Sequence, residues 1–98
     1  MTWPVVVRRL ARRDIDRACQ YYDLESHELG DRFATVIDEA LVRISENPLQ
    51  YPTLFRDMRR VILRPFSYAL YYKADAGTVR VFAVTHTSRD PRVWQRRG

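Results

Sequence analysis

The chain is 98 residues long, 46% hydrophobic, 30% charged and net +5, which suits one soluble globular domain better than two domains or a disordered segment. No apolar run approaches the roughly 20 residues of a membrane span. The three valines of MTWPVVVRRL fall far short of a secretory h-region, so a cytoplasmic address is expected.

Val5, Val6 and Val7 are β-branched and follow Trp3-Pro4, which predicts a short buried strand. The period then changes. Ala11, Ile15, Ala18, Tyr22 and Leu29 step by 4, 3, 4 and 7 with charges between them, an amphipathic helix with Asp14 and Asp16 near its positive end. Gly30 is expected to end this helix and Asp31 to cap the next. In the second helix Phe33, Val36, Ile37, Ala40, Leu41 and Ile44 form one stripe. Asn47-Pro48 stops it, because the residue before proline avoids the helical region. So short a break makes the pair an antiparallel hairpin.

Residues 48–57, marked by Pro48 and Pro52, read as a loop. Strand patterning follows over 58–63, over 66–73 beyond Pro65, and over 78–85 beyond the turn Asp75-Ala76-Gly77. On the last of these, Val79, Val81 and Ala83 are expected on one face and Phe82 and Val84 on the other. Both faces are apolar, as in a strand covered on two sides. Asp90-Pro91 suits an N-cap with proline at N1, giving a short helix over 91–96. The order β-αα-βββ with a helical tail is an α+β fold, one domain over residues 1–98: an N-terminal strand, an antiparallel helical hairpin packed on an antiparallel β-sheet, and a short C-terminal helix.

Charge is unevenly placed. Residues 11–47 hold five arginines against nine carboxylates, a balance of −4, whereas residues 48–98 hold nine arginines and Lys73 against Asp57, Asp75 and Asp90, a balance of +7. This predicts a cationic sheet surface backed by acidic helices, left unsatisfied until an acidic partner covers it. All cations but Lys73 are arginine, suited to bidentate grip on phosphate or carboxylate. A compositional arginine bias would look the same.

Several side chains are candidates for chemistry, and each has a plainer role. Arg59, Arg60 and Arg64 bracket Val61-Ile62-Leu63, with Arg60 and Arg64 expected on one strand face. They could hold an anion, or only guard a solvated edge. Tyr68, Tyr71 and Tyr72 could stack on bases or fill the core. His86 could transfer a proton near neutral pH and Arg89 could hold a phosphate; the same pair could simply fix the tail. Trp94 is expected to pack the tail on the sheet, and Cys19 and Tyr22 to join the helix core. His27 is placed near a helix C-terminus and needs no ligand role. One cysteine excludes an internal disulfide. With three glycines, no Gly-rich phosphate loop and no zinc spacing, neither a metal nor a cofactor is expected.

The motifs in order resemble the RelE/ParE toxins of bacterial type II toxin–antitoxin modules. They are Ala-x-x-Asp (Ala11, Asp14), Leu-Gly-x-x-Phe (Leu29, Gly30, Phe33), Asn47-Pro48, Arg59-Arg60, the strand Phe66, Tyr68, Tyr71, Tyr72, and the ending His86, Arg89, Asp90, Pro91, Trp94. The match covers residues 11–97 and rests on order and spacing together. The resemblance implies the fold just described and one of two activities: mRNA cleavage on the ribosome by RelE-type members, or poisoning of DNA gyrase by ParE-type members. Positions where RelE-type nucleases carry cations match Arg60, Ile62 and Ala69 here, two of them apolar. The His-x-x-Arg-Asp ending is closer to ParE-type chains. The resemblance therefore implies a ParE-like toxin that binds gyrase and forms a hetero-oligomer with a cognate acidic antitoxin, with Arg59, Arg60, Arg64, Arg89 and Trp94 as contact residues. The alternative is a metal-free endoribonuclease using His86, Arg64 and Tyr72, and a third possibility is a bare partner-binding module.

Overall fold

Residues 2–98 are described by a computed structural model. The elements are β1 (Val5–Val7), α1 (Arg9–Glu25), α2 (His27–Glu46), β2 (Thr53–Phe55), β3 (Met58–Ile62), β4 (Tyr68–Asp75), β5 (Thr78–His86) and α3 (Arg92–Gln95). They build one five-stranded sheet in the order β1-β5-β4-β3-β2. β1 runs parallel to β5, and every other pairing is antiparallel. No helix among the described residues is long and apolar enough to cross a membrane.

The helical hairpin turns at Ser26, four residues before the expected break. Ser26 is extended (φ −167°, ψ 134°) and its hydroxyl accepts the Leu29 N–H at 3.2 Å, so it closes α1 and caps α2. His27 consequently opens α2 instead of ending a helix. Gly30 lies inside α2, where a Cβ would sit 2.9–3.0 Å from Asp23. The missing side chain lets the two helices approach; it does not stop one.

The sheet corrects three further expectations. β1 is an edge strand with Val6 47% exposed, not a buried one. The loop 48–57 contains β2, which reaches β3 through a tight turn with Arg56 at φ 54°. On β5, Tyr71 pairs with Ala83 but Tyr72 with Val81, so Phe82 is an extra residue, a β-bulge. The bulge shifts the alternation: Val84 joins Val79 and Val81 toward the helices, and Ala83 goes to the opposite face. Ala76 (φ 49°) and Gly77 (φ 76°) give the β4–β5 hairpin the left-handed turn pair that suits twisted strands.

Two cores flank the sheet. The larger one packs Ala11, Ile15 and Ala18 of α1 and Phe33, Ile37, Ala40 and Ile44 of α2 on Val61, Leu70, Tyr72, Val79, Val81 and Val84. Each fully buried Val, Leu, Ile or Phe among them contributes about 1.5–3 kcal/mol of transfer free energy. The smaller core lies on the far face and consists of Met58, Ala69, Tyr71, Ala83 and Trp94 of α3.

Candidate functional site

On the helix side of the sheet, two expected site residues are consumed by structure. Tyr72 is fully buried and its hydroxyl donates to the Pro48 carbonyl at 2.6 Å. Burial pushes its pKa up to about 12 against a smaller lowering by Arg59, so it stays a neutral phenol. Arg59 projects to the same side and donates to the Tyr51 and Leu49 carbonyls, tying down the segment that follows α2. Tyr72, fully buried, is thereby removed from the expected catalytic set, and one nitrogen of the partly buried Arg59 is engaged within the chain. Both staple a loop, Tyr72 because a buried donor must find an acceptor.

On the far side, Trp94 is 5% exposed and stacks on Tyr71 with centroids 4.3 Å apart and planes 11° from parallel. Phe55 meets its edge at 6.1 Å. Trp94 therefore seals the face and is not available to a partner. Arg60 pairs with Tyr71, and Ile62 with Ala69, on this same face. The three positions where the resemblance would place nuclease cations thus do share a surface, and it carries one arginine.

Arg64, His86 and Arg89 collect at one end of the sheet, where β3 and β5 finish and β4 begins. Arg64 lies beyond the end of β3, joined to Pro65 by a cis peptide, so it does not continue the strand row of Arg60. His86 is exposed, pairs across the ladder with Tyr68, and meets that ring edge-on at 5.4 Å. Its Nδ1 accepts the Ser88 N–H at 3.1 Å and lies 2.8 Å from the Ser88 hydroxyl. In a neutral imidazole so held, Nε2 carries the proton and can donate but not abstract. Tyr72 sits four residues along β4 from Tyr68, about 13 Å at strand rise. Of the nuclease set, Arg64 and His86 share the sheet end and Tyr72 does not join them.

Nor do the cations form one sheet surface. Lys73, Arg80, Arg92 and Arg97 pair with Asp57, Asp75, Asp90 and Asp14, which consumes every carboxylate of the basic half. Asp90, held below the usual carboxylate range by its bonds to the Arg92 side chain and backbone, accepts the Arg92 N–H at 3.0 Å just ahead of α3, whose N-cap is Pro91 where Asp90 was expected. The acidic side is real: a cleft on the helical hairpin is lined by Asp16, Asp23 and Asp31. Burial, with Asp16 adding to it, raises the Cys19 thiol pKa there and leaves it a poor nucleophile. Among the described residues no group of three or more His, Cys, Asp or Glu could hold a metal ion.

One cluster has no counterpart in the sequence-based expectations. Asp14 accepts the Val84 N–H at 3.0 Å and two donors of Arg97, and Arg97 also donates to the Phe82 carbonyl at 3.2 Å. The signal was available, since Asp14 falls on the buried Ala11–Ile15–Ala18 stripe, where a carboxylate needs partners.

With this geometry in place, comparison with known proteins is informative. Residues 5–91 match the sequence model of the family described as "ParE toxin of type II toxin-antitoxin system, parDE". The chain belongs to the ParE toxin family. A related member is Toxin ParE2 of Mycobacterium tuberculosis, 27% identical over 92 residues that span 93% of this chain and 88% of that one. Among solved structures, a chain of the chromosomal ParDE system from P. aeruginosa superposes with a TM-score of 0.75 over 87% of this chain and 96% of its own. At 13% identity this likeness concerns the fold alone. A chain of the toxin–antitoxin complex RelBE2 from Mycobacterium tuberculosis gives a TM-score of 0.62 at 27% identity, covering 88% of this chain and 92% of that one. The α+β fold and the family expected from the motifs are both borne out.

Proposed function

We propose that this ParE-family toxin acts in the cytoplasm by binding DNA gyrase rather than by cutting mRNA, and that a cognate acidic antitoxin neutralises it in a hetero-oligomer. The observation that carries the reading is the fate of the nuclease residues. Tyr72 is locked on the helix side, Trp94 fills the far face, and Arg64 and His86 stand at the sheet end with Arg89 but without the tyrosine expected to join them. General acid–base cleavage needs donor, acceptor and phosphate-holding groups within hydrogen-bond reach of one reacting bond. A binding toxin needs only an exposed surface. Arg60, Arg64 and Arg89 are the contacts assigned to the target, with Arg64 and Arg89 exposed at the sheet end.

The endonuclease reading keeps one observation in its favour: an exposed His86 beside Tyr68, although burial raises the pKa of that phenol and the Arg89 charge offsets this only in part. The deciding experiment is induction of the chain without antitoxin, followed through DNA, RNA and protein synthesis, together with a supercoiling assay on purified gyrase. Supercoiling failure with intact transcripts is expected. Early mRNA loss that disappears in His86→Ala would replace the gyrase reading with the nuclease one. Normal growth with abundant soluble protein would sink both.

A further inference from the structure

The cations left without a carboxylate are not spread evenly. Arg8 precedes α1 as its N-cap residue, Arg9, Arg12 and Arg13 follow in its first turns, and all are exposed. Arg96, also exposed, follows α3 and reaches the same place. Arg8, Arg9 and Arg96 line one groove of about 640 Å³ between the start of α1 and the C-terminal end. None of these arginines has a described carboxylate in salt-bridge range. Asp14, the first acid of α1, is spent on Arg97, and Asp16 lines the acidic cleft on the hairpin.

This placement costs the fold something. The start of a helix is its positive end, where acids stabilise and cations do not. α1 has no acid in its first turn and no side-chain cap, and it crowds guanidinium groups there instead. Anions from outside would relieve that repulsion. Arg9 and Arg13 stand one turn apart, about 6 Å along the helix axis, a row that suits regularly spaced anions. Guanidinium forks grip phosphate oxygens with paired bonds. The Phe82 ring in the groove is already covered, with the Arg8 guanidinium 5.6 Å and the Lys73 ammonium 5.5 Å from its centre. No ring is left in the groove to stack an unpaired base. That favours a duplex, gripped by its phosphates alone, over a single strand.

We propose that Arg8, Arg9, Arg12, Arg13 and Arg96 bind the phosphate backbone of duplex DNA without reading its sequence. The inference goes beyond the gyrase reading: it uses none of the arginines assigned to the target and holds or fails whatever the target is. Motif matching could not find this surface. The two ends of the chain build it, and Arg12 and Arg13 fall in the stretch whose charge balance is acidic.

The test is fluorescence anisotropy of a labelled duplex of about 20 base pairs, titrated with the full chain at several salt concentrations. About five phosphate contacts give a slope of log affinity against log salt of about −4 to −5. Arg9→Gln/Arg96→Gln is expected to bind about thirtyfold more weakly at about 0.1 M salt, with a slope shallower by about two. Its melting temperature should equal or exceed the parent's, because a cation leaves the positive end of α1. The charge-matched Arg32→Gln/Arg56→Gln should stay within about threefold of the parent, and duplexes of unrelated sequence should bind alike. An equal loss in both variants would mean attraction by net charge alone and overturns the surface. Tighter binding of a single strand of the same length overturns the duplex. Supercoiling failure caused by a parent chain that binds no duplex sinks this inference and leaves the gyrase reading standing.

Discussion

Tyr72 and Tyr71 are adjacent in the chain and lead opposite lives, because neighbouring strand residues face opposite sides of the sheet. Tyr71 stacks under Trp94, while Tyr72 reaches through the helix-side core to the Pro48 carbonyl. The Tyr72 phenol ionises near 10 when unfolded and near about 12 when folded. Its pKa is raised on folding, so its contribution is complete below the unfolded value and fades as pH climbs from there through the folded one. The loss amounts to about 2–3 kcal/mol across that window. Tyr72→Phe removes the donor and is expected to lower stability by about 1 kcal/mol at neutral pH, yet to suffer a smaller further loss at about pH 11. Urea midpoints at the two pH values decide it, and equal alkaline losses in both proteins would mean Tyr72 is not the responsible group.

Among the elements, those with a strong period were legible and those defined by one local bond were not. The α2 stripe and its Asn47-Pro48 stop are visible in sequence, as is the Ala76-Gly77 hairpin. The hairpin break was misplaced because Gly30 carries the usual sign of a helix end, whereas the stop is made by the Ser26 hydroxyl. The β5 bulge was equally hidden, since an extra residue leaves no mark in an all-apolar run. Trp94 packs the tail on the sheet as its aromatic character led one to expect, whereas the internal bonds of Arg59 were hidden, because residue type suggests a binding group and only the fold shows the carbonyls it meets. Gly30→Ala follows from this. In a free helix alanine is better than glycine by about 1 kcal/mol. Here its methyl would press on the Asp23 backbone and side chain, so a net destabilisation of about 1–3 kcal/mol is expected. A thermal melt showing stabilisation would place the closest helix approach elsewhere.

For the whole molecule, the decisive feature is that one sheet serves two cores of unequal size. The helical hairpin covers one face completely, while the other depends on the four-residue α3, which is too short to be stable alone. Its stability comes from Trp94 on Tyr71, from the Asp90 bonds to Arg92, and from the Arg97 clamp on Asp14 just beyond it. Trp94→Ala removes the anchor and should lower stability by about 3–5 kcal/mol, the range for a buried aromatic replaced by alanine. The same change uncovers Tyr71, Met58 and Phe55 beside Phe82, so increased binding of an apolar dye is expected even where the hairpin core stays folded. Trp3 packs against the helix-side core and remains as an independent fluorescent reporter. In a denaturant titration of Trp94→Ala, the Trp3 signal should therefore show an earlier but still cooperative transition. A midpoint equal to the parent's would mean that the far face needs no cover, and the argument that α3 closes it to RNA would fall with that result.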